Sequence, residues 1–327
     1  DTDDPQPTQT QGNQPQRPPA ERKDTTPQTQ HPHPSPANLT PLTAMHPTPI
    51  NDPTVYSVFN PGHSRWTAKE KRNTYQNETN NDFKGDVLQD KEPDTFRLYF
   101  GNENGFNLAS KGEPFKELCE DQKLMQADYR GIAETCLDTD KYKIKQILHQ
   151  VAKSTFDSYS MDLASSPTEA AHDYQPGGVM SIIQAHTVGR IKERGSDELG
   201  RWTYLKLNGS SGKVITIISA YQVCDNQRTG TTAYHQQTSA LIQSGHKRPN
   251  PRRQFQLELR SFIRQSQRNG ESIILVGDFN ENLDICTSAT ARLCEECGLV
   301  DIFSSRHPDQ PKFSTYIRGT KCIDYYL

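Results

Sequence analysis

Residues 272–284, SIILVGDFNENLD, decide how this chain is read. Ile273, Ile274, Leu275 and Val276 form a short continuous apolar run, the pattern of a strand covered on both faces. The run stops at Gly277 and then presents Asp278 and Asn280, a carboxylate and an amide on the edge of a rigid element. One such edge is compatible with an ordinary turn. Its meaning depends on whether other strands end the same way.

Working outward, four strand ends share the feature. Phe96, Leu98 and Phe100 alternate with Arg97 and Tyr99, which predicts a strand broken at Gly101 and Gly105 and running into Asn102 and Asn104. A second strand, DYRGIAE (128–134), ends in Glu134. After the turn-rich DYQPGG (173–178) come three strands in succession: VMSIIQAH (179–186), RWTYLKLN (201–208) and KVITIISAY (213–221), the last two joined through GSSG. The third of these ends in Tyr221, and Asp278 and Asn280 complete the four; the first ends in His186, read as a rim residue beside the site. Between them lie helical patterns in EPFKELCEDQKLM (113–125), DKYKIKQILHQVAKS (140–154), RRQFQLELRSFIRQSQRNG (252–270) and SATARLCEECGL (288–299). In the third, Phe255, Leu259, Phe262 and Ile263 fall on one face, opposite Arg253, Arg260 and Arg264. A final pair of strands is expected in KFSTYIRG (312–319) and KCIDYYL (321–327). Hairpin neighbours mixed with helix-linked strands imply an α/β fold, a sandwich of two sheets packed face to face and flanked by helices.

Composition sets the domain boundaries. The first fifty residues hold 12 of the 22 prolines and few large apolar side chains, too few to offset the entropy of ordering them. Residues 1–94 are therefore expected to be a disordered Pro/Gln/Thr-rich tail and residues 95–327 the folded domain. The formal net charge is −3, so only local clusters such as HKRPNPRR (246–253) can speak for a polyanionic partner. Seven cysteines without framework spacing suit a reducing, intracellular compartment. Cys294 and Cys297 form a lone CxxC on a helix, better read as core thiols than as a zinc site. No apolar run approaches the ~20 residues of a membrane span, so no membrane association is expected.

Taken in order, GNENGFN (101–107), GIAET (131–135), ITIISAYQV (215–223), ILVGDFN (274–280) and STYIRGTKCIDYYL (314–327) resemble the successive motifs of the endonuclease/exonuclease/phosphatase superfamily. The resemblance implies the DNase-I-like four-layer α/β sandwich and metal-dependent phosphodiester hydrolysis. The spacing of the central strands most resembles the endonuclease domain of non-LTR retrotransposons, which implies DNA as partner, a nuclear location and no stable protein partner. Mg²⁺ (or Mn²⁺) is the implied cofactor, with Glu134 as principal metal ligand and Asn102 supporting metal and phosphate. By the same resemblance Asp278 orients and activates the attacking water, Asn280 donates to the phosphoryl oxygen, and Tyr221 offers a phenolic donor. Asp324 matches the Asp that holds a catalytic histidine, and Asn104, His186 and Thr315 are expected to contact substrate. Cys322 stands where the family often has a basic residue.

The Ser-Asp-His motif that carries the family's histidine is not among the ten histidines here, and His307 is expected in a loop. The chain is therefore expected to be C-terminally truncated and impaired. Two alternatives stay open: another phosphatase or phosphodiesterase of the same fold, and a decayed non-catalytic copy.

Overall fold

The computed structural model describes residues 88–105, 108, 112–166, 175–225, 232–315 and 320–327. Its elements in chain order are β1 (Leu98–Asn102), α1 (Glu113–Leu124), β2 (Tyr129–Ala133), α2 (Tyr142–Thr155), β3 (Tyr159–Ala164), β4 (Val179–Gln184), β5 (Ile191–Ser196), β6 (Trp202–Asn208), β7 (Val214–Tyr221), α3 (Ala233–Gln243), α4 (Pro251–Arg268), β8 (Ser272–Asp278), α5 (Ala289–Cys297), α6 (Ile302–Arg306) and β9 (Asp324–Tyr326). The strands form a sheet of four, ordered β1-β2-β4-β3, and a sheet of five, ordered β5-β6-β7-β8-β9. Each sheet is mixed: β1/β2 and β7/β8 are parallel, and every other pair is antiparallel.

Period-2 alternation sorts the side chains into layers. Between the sheets, Phe100, Ala133 and Val179 meet Tyr221, Val276 and Tyr326, while Tyr129 and Ile183 meet Leu205, Leu207 and Ile217. The opposite faces carry the helices. Phe115, Leu118, Ile144 and Leu148 of α1 and α2 cover Ile132, Met180 and Ile182, and Phe255, Leu259, Ile263 and Leu293 of α4 and α5 cover Ile218, Leu275 and Tyr325. Helix, sheet, sheet, helix is the four-layer α/β sandwich expected from the sequence.

Four sequence expectations change. Strands β3 and β5 were not foreseen, because both are edges. In β5 (IKERGS) Lys192, Glu193 and Arg194 are exposed, which is how edge strands discourage further pairing; the Arg194 guanidinium bonds Ser160 on β3 and ties the two edges together. The strand expected to reach His186 ends at Gln184, and Ala185–Arg190 is a 3₁₀ turn. In the expected strand 312–319, residues 312–315 are irregular and 316–319 lie outside the described residues, while α6 ends against His307. Finally, most of the expected tail (1–87) lies outside the described residues, but two residues at its end contact the domain: Leu88 joins Tyr99, Met125 and Ala127, and Lys91 Nζ bonds Asp128 at 2.6 Å.

The sheets approach closely where β2 faces β7. There a Cβ at Gly131 would stand 2.0 Å from Ser219 Oγ and 2.9 Å from Phe100 Cδ2, and Ser219 Oγ is itself hydrogen-bonded to Tyr129 Oη at 2.8 Å. Only glycine fits. Gly131→Ala is expected to cost about 2–3 kcal/mol. In a denaturant cycle with Ser219→Ala, the double variant should lose clearly less than the two singles together; strict additivity would show that the sheets are not held at this contact.

Candidate active site at one end of the sandwich

Strand direction gathers the polar residues. Because β1 and β2 run parallel, Asn102 pairs in register with Ala133 and both strands leave the sheet at the same end. In the second sheet β7 and β8 run parallel with Tyr221 opposite Asp278, and antiparallel β9 brings Asp324 opposite Asp278. Phe100, Ala133, Tyr221, Val276 and Tyr326 share the inter-sheet core, so by period-2 alternation Asn102 and Asp278 point into the same gap.

The contacts follow from that placement. Asn102 Nδ2 donates to Asp278 Oδ2 at 2.8 Å and lies 3.2 Å from Glu134 Oε2. Since both contacts share one nitrogen, the two carboxylate oxygens cannot be farther apart than the two lengths together, about 6 Å. Tyr221 Oη donates to Glu134 Oε1. The Asn104 backbone N–H donates to Asn102 Oδ1 at 2.9 Å, and the Asn280 N–H to Asp278 Oδ1 at 2.9 Å. The Asn280 side chain donates to Gln222 O at 2.8 Å and accepts from Cys224 Sγ. Thr315 braces β9: its hydroxyl oxygen accepts the N–H groups of Ile323 and Asp324 at 3.0 and 3.2 Å.

His186 is the exception, and a correction. Strand β4 is antiparallel to β2, with Val179 opposite Ala133 and Ile183 opposite Tyr129. Its C-terminal end therefore points away from Glu134, and His186 is exposed at the other end of the sheet, roughly 13 Å or more along the strand. The sequence showed a polar strand end but not its direction.

Backbone and charge both show cost at this end. Asn104, Glu134 and Asn280 occupy the left-handed region, with φ of 50°, 50° and 49°. Asparagine tolerates it, but for Glu134 it stores strain of order 1 kcal/mol. Burial, followed by the charge of Asp324, pushes the Asp278 carboxyl well above the usual carboxylate range, against the pull of the Asn102 hydrogen bond. Burial pushes Asp324 up to about 7, with the Thr315 hydroxyl pulling it down and Glu134 adding to the rise. Burial and the charges of Glu134 and Asp278 also hold the Tyr221 phenol well above its ordinary value. These are marks of negative charge gathered without compensation.

Sequence reasoning passed over the residues behind the site. Gln222 Nε2 donates to Phe279 O at 2.6 Å, and Gln256 Nε2 reaches Gln222 Oε1 at 2.6 Å and Thr290 Oγ1 at 3.0 Å. Arg252 reaches Val223 O, Asn280 O and Glu281 Oε1. Asn-Pro at 250–251 is the local signal for this last arrangement: Asn250 caps α4 by accepting the Arg253 N–H, and Pro251 opens the helix.

No protein-family model matches the sequence, and no curated protein matches it. Among solved structures the chain is similar to an AP endonuclease from Archaeoglobus fulgidus (13% identity, 71% of this chain and 86% of that one, TM-score 0.43). It is also similar to an endonuclease/exonuclease/phosphatase family protein from Leptotrichia buccalis (15%, 71% and 86%, 0.42) and to a 3′ phosphatase from Neisseria bound to product DNA hairpin (15%, 71% and 86%, 0.42). At such identities and TM-scores these likenesses carry no functional weight, and the chemistry has to come from the side chains themselves.

Among the described residues no three His, Cys, Asp or Glu side chains converge to hold a metal ion unaided. The donor set still fits a hard cation that keeps several waters, which needs only one or two carboxylates and an amide: Glu134 and Asp278 face one gap with Asn102 between them. Uncompensated carboxylates at the same place are what such a cation neutralises.

The electrostatic cost is measurable. Asp324 holds its proton up to about pH 7 in the folded chain and releases it near 3.9 when unfolded. The folded state therefore binds more protons between those values, and this group's contribution to stability is present below about pH 4 and lost as pH rises toward 7. In EDTA, Asp324→Asn is expected to flatten that slope and to stabilise the fold at pH 8 by on the order of 1–2 kcal/mol, Asp278 re-titrating once its neighbour is neutral. Urea midpoints from pH 4 to 8 check this, and an unchanged slope would remove the clustered charge from the account.

Proposed function

We propose that this chain is a divalent-metal-dependent phosphodiester hydrolase acting on DNA. The observation that carries the reading is the meeting of Asn102, Glu134, Tyr221, Asp278 and Asn280 at one end of the sandwich, with Asp324 beside them. Phosphodiester cleavage needs charge neutralised at the phosphoryl oxygens, a water aligned opposite the leaving oxygen, and a donor for that oxygen. Glu134 and Asn102 are the residues that would hold Mg²⁺ or Mn²⁺, which supplies the neutralisation. Asp278, fixed by Asn102 and by the Asn280 N–H, orients a water and accepts its proton. The Asn280 amide keeps a second N–H for a phosphoryl oxygen while its first is held by Gln222 O. Tyr221, buried and kept in its neutral form, gives its one O–H to Glu134 and becomes a donor for the phosphate or leaving oxygen once that hydroxyl turns to the substrate.

DNA is favoured over small phosphoesters by the surface beside the site. Arg252 of the basic run turns inward, but His246, Lys247, Arg248 and Arg253 are exposed. Among the described residues no carboxylate pairs with Lys247, Arg248 or Arg253, which leaves them for a phosphate backbone. The resemblance to retrotransposon endonucleases gives the reading its biological form, a nick in target DNA made in the nucleus.

With Mg²⁺, supercoiled plasmid should be converted to nicked circles. Glu134→Ala and Asp278→Ala should each slow this by a factor on the order of 10² or more, and EDTA should abolish it. Equal nicking by wild type and both variants would sink the reading. Phosphate release from soluble inositol phosphates without plasmid nicking would replace it with a phosphatase of the same fold.

A further inference from the structure

The amide of Asn280 can serve one phosphoryl oxygen only if its loop is held still; its own contacts, the N–H to Asp278 Oδ1 and the side chain to Gln222 O, leave its carbonyl and the next residue, Glu281, to be fixed from outside. Asn280 sits in the left-handed region two residues past the end of β8, and Glu281 follows. We propose that Arg252 is a positioning residue for Asn280, working through Glu281 as a latch that locks the β8 exit onto the first turns of α4 and α5.

Four observations carry this. The Arg252 guanidinium bonds Glu281 Oε1 at 2.6 Å and lies 3.4 Å from the carbonyl of Asn280 itself. It also bonds Val223 O, so one planar group grips the exit of β7, where Tyr221 stands, and the exit of β8, where Asp278 stands. A guanidinium presents donors in a fixed fork and can set the spacing of two loops in a way a flexible ammonium cannot. The other oxygen of Glu281 is fully used: it accepts from Ser288 Oγ at 3.0 Å, Thr290 N at 2.9 Å and Thr290 Oγ1 at 3.0 Å, at the first turn of α5. Both partners are largely buried, so the pair acts where solvent does little to weaken it.

The latch rests on the phosphodiesterase reading for its catalytic meaning but not for its existence, so two measurements separate them. Hydrogen exchange needs no activity. In Arg252→Ala, with wild-type as reference, peptides covering 279–283 should exchange on the order of tenfold faster while the buried turns of α4 stay protected; Glu281→Gln should behave similarly, and Arg252→Lys should fall between. Unchanged exchange in both Arg252 variants overturns the proposal. With bis(p-nitrophenyl) phosphate and Mg²⁺, Arg252→Ala should lower kcat about tenfold or more and leave KM within about twofold. If Arg252 acts through Asn280, the Arg252→Ala/Asn280→Ala pair should be no slower than Asn280→Ala alone. Multiplied losses in the double variant overturn the assignment, whereas a wild-type rate in Asn280→Ala removes Asn280 from the chemistry and leaves the exchange result to judge the latch.

Discussion

The structure depends on the parallel pairing inside each sheet. In β1/β2 and again in β7/β8, parallel register brings the C-terminal ends of two strands to the same edge. Face-to-face packing then stacks the two edges around one gap. An antiparallel pair would have sent one polar end to each side of the molecule, as β4 does with the turn that carries His186. Glycine is the condition for the packing: at Gly131 the sheets come so close that a single methyl group would collide with Ser219. The site is therefore a property of how strands cross, and its residues need no proximity in sequence. Asn102 and Asp278 are 176 positions apart and share a hydrogen bond.

Gathering carboxylates at one edge works against folding. Glu134 is held in a strained backbone conformation, and Asp278 and Asp324 show raised affinity for protons, first because both are buried and then because Asp278 faces the charge of Asp324 and Asp324 that of Glu134. A core selected only for stability has no reason to keep such a cluster, since a polar group is cheaper left in water. The rest of the sandwich can carry the burden because its layers are ordinary: apolar strands between two helix layers, with Arg130, Arg201 and Arg252 each paired to a carboxylate.

The layers were legible because they depend on local pattern. The apolar run before Asp278 reads as a covered strand wherever it is placed, and the spacing of Phe255, Leu259 and Ile263 reads as a helix face. What was not legible depended on direction, on edges and on distance. Strand β5 offers one apolar residue, Ile191, followed by Lys192, Glu193 and Arg194, too little alternation to announce an edge strand. His186 looked equivalent to Glu134 until the antiparallel sense of β4 was known. Leu88 and Lys91 gave no sign in a polar stretch that they reach Tyr99 and Asp128, the second contact made across 37 positions. Arg252 was hidden in plain view: in a run of basic residues one side chain turns inward, and only the capped start of α4 says which.

The inward arginine has a counterpart that makes its placement more than local accident. At the first sheet, Arg130 of β2 is buried and bonds Glu103 Oε1 at 2.7 Å, the residue directly after Asn102. At the second, Arg252 bonds Glu281, the residue directly after Asn280. In both, an amide that faces the gap is followed by a glutamate that turns back to an arginine, while the next backbone contact fixes the loop: Glu103 N–H to Ala133 O on one side, Arg252 to Asn280 O on the other. A buried ion pair of this sort adds little net stability over a well-packed apolar pair, because desolvation offsets its attraction. It does specify geometry, since breaking either partner strands the other. That is the property a strand-end site needs, where the sheet gives rigidity up to the last paired residue and the functional amide lies at or just beyond it.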